Sequence, residues 1–166
     1  MKVQNQSNSN RFRGKGFIGR YQELIRNVVI PYQYEVLNDR IDGIEKSHAI
    51  TNFINAHKAL IGENDHDGFY GMVFQDSDVA KWIEAAAYSL GICPDSELER
   101  MVDEVIDIVA DAQDEDGYLD TYFTIKDKEK RFTNLFEAHE LYCNGHMIEA
   151  AVAYFEATGK SKLLNV

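Results

Sequence analysis

The side chains best suited to chemistry lie in the stretch 138–159, AHELYCNGHMIEAAVAYFEATG, where His139, Tyr142, Cys143 and His146 recur at three- and four-residue steps. That spacing puts all four on one side of a helix, where an ordinary surface helix carries Lys and Glu. His139 and His146 are seven residues apart, nearly two turns, so their rings stand roughly 10 Å apart along the axis. A straight helix cannot bring both to one metal ion. The HExxH zinc signature also fails, because Cys143 stands where its second histidine belongs. His139 with Cys143 would start a metal site, but no further ligands are evident. Cys143 and His146, at i and i+3, form the one neighbouring Cys-His pair, and the frequent burial of cysteine weighs against a nucleophile there. Hydrogen bonding asks for less: imidazoles facing a cavity can hold the hydroxyls of a sugar or other polyol, the competing reading being satisfied interior histidines.

Two further groups could bind polar ligands. In 73–82, VFQDSDVAKW, the residues Gln75, Asp76 and Asp78 crowd a helix N-terminus. Asp78 there complements the helix dipole, whereas Gln75 and Asp76 just precede the helix, where hydroxyl-binding groups are often placed. In 112–123, AQDEDGYLDTYF, a calcium loop is faintly suggested by Asp114, Asp116 and Gly117, but the later bidentate Glu is missing. The simpler reading is a helix end with a glycine cap and a solvated acidic turn. Tyr118 and Asp120 follow it, an aromatic and polar mixture expected of a saccharide-binding rim. His48, His57 and His66 have no partners at useful spacing, and Cys93, before Pro94, reads as inert.

Positioning these groups falls to helices. In 138–159 Leu141, Gly145, Ile148, Val152 and Phe155 form an apolar stripe, about half a turn from the imidazole side. The pattern predicts an inner helix of a double-layered helical structure, with its apolar side on an outer helix and its polar side on a cavity. Upstream, Tyr21, Leu24, Ile25, Val28 and Val29 share a helical face, and Pro31 should kink or restart that helix. Ser47 is expected to cap a helix to about residue 61, followed by a loop over 63–72. Ser77 opens the next helix, carrying Val79, Trp82, Ile83, Ala86 and Leu90. A capping box from Ser96 to Glu99 starts another, with the stripe Leu98, Met101, Val102, Val105, Val109 and Ala112. Residues 118–133 read as a long loop, and Asn134 with Glu137 boxes the start of the helix carrying the histidines. The last residues, 160–166, look like the opening of a further helix, and the abrupt end suggests a fragment. No stretch alternates with period two, so the fold class is all-α, built of helical hairpins.

Composition narrows the function. Seventeen basic against twenty-eight acidic residues give a net charge of −11, which repels nucleic acid and anionic membranes. No apolar run suits a signal peptide or a membrane span, so a cytoplasmic protein with Cys93 and Cys143 as free thiols is expected. Residues 1–16 are polar and read as a flexible N-terminal arm ahead of a domain over 17–166.

The strings IPYQYEVLND, GMVFQDSDVAKWIEAAAYSL, AQDEDGYLDTYF and HELYCNGHMIEAAVAYFEATG, in this order and spacing, closely resemble the N-terminal part of glycoside hydrolase family 127, the β-L-arabinofuranosidases. The resemblance covers about 17–166 and implies part of an (α/α)6 barrel, an incomplete toroid of helical hairpins, with β-sandwich domains following in the family. It further implies a retaining exo-hydrolase releasing β-L-arabinofuranose from plant-derived oligosaccharides, with a Glu acid/base and a zinc-bound cysteine nucleophile. Those catalytic and zinc-binding motifs belong to family segments beyond position 166, and neither Cys93 nor Cys143 matches them. No catalytic residue and no zinc ligand is therefore expected in this chain. What it would contribute is a binding wall: His139 resembles a family histidine that hydrogen-bonds the sugar, and Gln75, Asp76, Tyr118, Asp120 and His146 are further expected binding residues. Two other readings stand beside this one: another sugar specificity on the same barrel, or a non-catalytic helical module that binds a polypeptide or a second copy of itself.

Overall fold

Apolar residues at helical spacing do build helices throughout the computed structural model, which describes residues 14–63 and 68–166. The expected arm thus lies outside the described residues except for positions 14–16, as does His66. Helix α1, Gly16–Leu24, runs through a π turn, Ile25–Val29, into α2, Ile30–Leu37. Instead of a kink or restart, this wider turn precedes Pro31 and absorbs its missing N–H. Then come α3, Ala49–Leu60; α4, Asp76–Ile92; α5, Ser96–Asp111; α6, Thr121–Lys126; α7, Leu135–Ala138; and α8, Glu140–Thr158. Short 3₁₀ turns cover Lys128–Lys130 and Leu163–Asn165. No strand occurs among the described residues, so the all-α expectation holds. No helix among them is long and apolar enough to cross a membrane.

The core gathers Ile30 and Tyr34 of α2, Phe53 of α3, Val79, Trp82 and Ile83 of α4, Val102, Ile106 and Val109 of α5, and Tyr154 of α8. A buried indole needs an acceptor for its N–H. Trp82 donates to the Ile30 carbonyl at 3.0 Å and packs its ring 5.3 Å from that of Tyr34, which ties α2 to α4. The most extensive pairing joins α4 and α8. Both helices bury alanines there (Ala80, Ala86 and Ala87; Ala150, Ala151 and Ala153), and small side chains let two backbones approach closely.

That seam corrects the expected orientation of α8. Its buried face is Cys143, Met147, Ala150, Ala151 and Tyr154, whereas Leu141, Ile148, Val152 and Phe155 are 60%, 65%, 45% and 37% exposed. Periodicity identifies an apolar stripe but not its neighbour, and the alanine side is the one that α4 can approach. The apolar face of α1 and the π turn is likewise exposed at Phe17, Tyr21, Leu24 and Val28. Residues 118–133 contain α6, capped by Asp120 through the Phe123 N–H at 3.0 Å, where a loop was expected. Six residues are too short for periodicity to register. At the chain end Leu163 is buried in a 3₁₀ turn, not the start of an α-helix.

Helix starts differ as well. The cap of α5 is Asp95, whose carboxylate accepts from the N–H groups of Glu97 at 3.0 Å and Leu98 at 3.2 Å, with Ser96 already helical. Helix α3 enters through left-handed His48, held by its N–H on the Asp39 carboxylate at 3.0 Å, while Ser47, one residue ahead of that cap position, accepts the Ala49 N–H on its Oγ at 3.4 Å. The α5 cap gives a direct test: Asp95→Ala should cost about 1 kcal/mol in urea unfolding, and Ser96→Ala less than about 0.5 kcal/mol. The reverse order would restore the serine as the cap.

Candidate functional site

His139 occupies the joint between two helices. Asn134 starts α7, not the helix of the histidines as expected, by accepting from the Glu137 N–H at 3.2 Å, and the Glu137 carboxylate returns to the Asn134 side-chain amide at 2.9 Å in place of its backbone N–H. That helix lasts four residues and stops at His139, whose φ of 57° is left-handed, and α8 begins only at Glu140. For a residue with a Cβ this conformation costs roughly 1 kcal/mol, although histidine is among those found there more often. The joint sets the imidazole edge-on to Phe74 at 5.3 Å and beside Tyr142 at 5.9 Å, and Tyr142 meets His146 at 4.6 Å. Phe74, His139, Tyr142 and His146 thus form one continuous row along the border of the buried face of α8. Lys81 of α4 joins it, donating to the Tyr142 hydroxyl at 2.8 Å and to Ser77 Oγ at 3.0 Å. Imidazole, ammonium and phenol groups beside aromatic faces suit hydroxyl-rich ligands.

Behind the row lie three buried carboxylates. Asp76, the first residue of α4, accepts from Thr121 N at 2.7 Å and Thr121 Oγ1 at 2.5 Å. Asp120 caps α6 with Oδ1, while its Oδ2 is buried with no hydrogen-bond partner. Glu140, fully buried, accepts from the Tyr118 hydroxyl at 2.6 Å and from the Phe132 N–H at 3.0 Å to each oxygen. The Tyr118 ring is covered by the Arg131 guanidinium at 3.9 Å, and Arg131 also pairs with Asp114 at 2.7 Å and Asp116 at 3.3 Å. Arg131 and Lys128 hold the Asp114 carboxyl down at about 2, so these acidic groups serve protein cations where a calcium loop was faintly suggested.

The expected binding residues therefore divide. His139 and His146 are half-buried in the row. Gln75 sits at its edge with its amide engaged: it accepts from Met72 N at 3.2 Å and donates to the Ser47 carbonyl and Asp78, each at 3.3 Å. Gly71, with φ of 96°, gives the loop a backbone conformation that a residue with a Cβ rarely adopts, beside that amide oxygen. Asp76, Tyr118 and Asp120 lie in the buried layer, joined to the row through Glu140 and α4. Lys81, Phe74, Thr121 and Glu140 were not anticipated. Glu140 had only its place beside His139 as a signal, and the orientation of Lys81 depends on the α4–α8 seam. His57 bonds the Asp111 carbonyl at 2.8 Å and His48 stacks on Tyr70 at 4.6 Å, so both have structural partners, contrary to expectation.

Burial pushes the Cys143 thiol up to about 12, which removes it as a free thiolate nucleophile at neutral pH. Among the described residues, one group of three potential metal donors, Glu84, His146 and Glu149, has ligand atoms within 4.8 Å of one another. It contains no thiolate, so it does not fit a cysteine-rich zinc site.

Burial also raises both aspartates, Asp76 to about 6, opposed by its bonds from Thr121, and Asp120 to about 8, with the nearby Asp76 charge adding to the effect. An unfolded aspartate titrates near 4, so above that pH the folded chain retains protons that the unfolded chain releases. Stability should accordingly be greatest at the acid end and fall as pH rises from about 4 to about 8. Asp120→Asn should flatten that decline and raise the unfolding midpoint at about pH 8. Thermal unfolding across the range checks this, and parallel profiles for parent and variant would show that Asp120 titrates normally.

With this geometry in hand, relatives can be compared. A family model described as β-L-arabinofuranosidase, GH127 catalytic domain, matches residues 14–166. The chain is 45% identical over 166 aligned residues to the non-reducing end β-L-arabinofuranosidase of Bifidobacterium longum subsp. longum, covering 90% of this chain and 24% of that protein. Among solved structures it is similar to Ara127N-Se, a GH127 β-L-arabinofuranosidase from Geobacillus stearothermophilus T6, with a TM-score of 0.84 and 58% identity over 90% of this chain and 23% of that one. The GH127 β-arabinofuranosidase BT3674 gives a TM-score of 0.77 at 36% identity, again over 90% and 23% of the two chains. The chain thus spans about a quarter of the length of these relatives. Agreement in both sequence and helix placement means that the chain belongs to the β-L-arabinofuranosidase family, GH127, and that its helices are part of that family's helical barrel.

Proposed function

We propose that this chain is the N-terminal part of a retaining glycoside hydrolase that releases β-L-arabinofuranose from plant-derived glycans, and that its contribution is one wall of the sugar pocket. The observation that carries this reading is the row His139–Tyr142–His146 with Lys81, whose donors and aromatic faces suit a furanose. His139 is assigned the sugar hydroxyls, with His146 and Gln75 further along the wall. Asp76, Tyr118 and Asp120 act from behind, holding the elements that carry the wall.

The groups that break the glycosidic bond are assigned to parts of the intact protein outside this chain. Asp120, although raised to about 8, is buried away from any substrate, and Asp76 and Glu140 are occupied by protein donors. The zinc that the family resemblance implies is assigned to the same outside parts, since the donors present here do not suit it. On this reading the exposed apolar faces of α1 and α8 are covered by the remaining barrel helices. The free thiols Cys93 and Cys143 suit a reducing cytoplasm.

His139→Asn in the full-length protein tests the wall. Asn tolerates the left-handed joint, so the fold should survive while the imidazole contacts are lost. We expect KM for a β-L-arabinofuranoside to rise about tenfold, the worth of one good hydrogen bond to a polar ligand. An unchanged KM would remove His139 from the pocket.

A further inference from the structure

We propose that Glu140 is a positioning residue that sets the His139 imidazole, an inference that rests on His139 meeting the sugar as proposed above. Glu140 is the first residue of α8, where a carboxylate is favoured by the helix dipole and ordinarily serves N–H groups of its own helix. Here both oxygens turn instead to the segment that precedes the helix. One receives the Tyr118 hydroxyl at 2.6 Å, and both share the Phe132 N–H at 3.0 Å.

The backbone shows what that achieves. Phe132 and His139 both adopt left-handed conformations, with φ of 58° and 57°. Such strain persists in non-glycine residues only where surrounding structure fixes it. Glu140 touches both sites, holding the N–H of Phe132 directly and following His139 by one peptide bond. The two strained residues bracket 132–139, so a single carboxylate closes that segment into a clasp. Arg131 reinforces it by covering the Tyr118 ring at 3.9 Å while pairing with Asp114. Loss of the clasp frees the joint, and the imidazole then leaves its place against Phe74 and Tyr142.

Glu140→Gln in the full-length enzyme separates positioning from mere support. The amide keeps the shape, and its oxygen can still take the Tyr118 hydroxyl, but in place of the second acceptor an NH2 group now faces the Phe132 N–H, donor against donor. Steady-state kinetics should show KM raised about fivefold to tenfold with kcat within about twofold, as expected for loss of uniform binding. In a His139→Asn background, Glu140→Gln should lower kcat/KM no further, because the group it positions is gone. Additive losses in that cycle, or an unchanged KM in Glu140→Gln alone, would overturn the positioning role. His139→Asn with an unaltered KM would instead overturn the sugar-contact reading on which it rests.

Discussion

A buried carboxyl group must either find donors for the water it gives up or keep its proton, and the segment 113–134 is shaped by that demand. Asp76, Asp120 and Glu140 are all inside, and their partners, Thr121, Phe123, Tyr118 and Phe132, come from one stretch of chain. Apolar packing anchors this segment through Leu119 and Ile125 on the main core and through the smaller cluster of Tyr118, Phe123 and Ala138, but it does not fix direction. Directional bonds to fixed oxygens therefore decide its path. Because those oxygens sit at the N-termini of α4 and α8, the segment lies where the imidazole row begins. Position of the candidate site thus follows from where the charge is buried.

The sequence made some of this readable and hid the rest for identifiable reasons. Helix α5 has one apolar side, so its stripe of Leu98, Val102, Val105 and Val109 names its buried face correctly. Helix α8 has apolar groups almost all round, and the bulkier stripe proved exposed while alanines and Tyr154 packed. Bulk marks the stripe as apolar, but closeness of approach to α4 selects the small side. His139, Tyr142 and His146 were legible as a set because helical spacing is a local property. Lys81 and Glu140 were not, since their roles depend on contacts across 61 residues to Tyr142 and 22 residues to Tyr118. The split at His139 is equally invisible to periodicity, which runs through Ala138 without registering a left-handed residue.

Charge is distributed with a purpose that the overall balance of −11 conceals. Exposed acidic groups on α5 are paired with Arg100, Lys160 and Lys162, pairs that contribute little to stability at a solvated surface. Lys81 instead stands over the Tyr142 ring at 5.0 Å, where a cation adds to the donor character of the row. A neutral polyol meets donors there, whereas a polyanion meets the acidic remainder of the surface.

The π turn at Ile25–Val29 has a geometric effect beyond accommodating proline. A wider turn advances fewer degrees per residue, so side chains before and after it are out of phase. Upstream, Phe17, Tyr21 and Leu24 look outward; downstream, Ile30 and Tyr34 look into the core and Ile30 offers its carbonyl to Trp82. One rod therefore addresses two directions, like a torsional coupling between an inner and an outer layer. Removing a residue from the turn would leave the two flanking helices unaltered in sequence yet rotate one half of the rod against the other, swinging its outward surface to a new bearing while Trp82 keeps hold of the inner half.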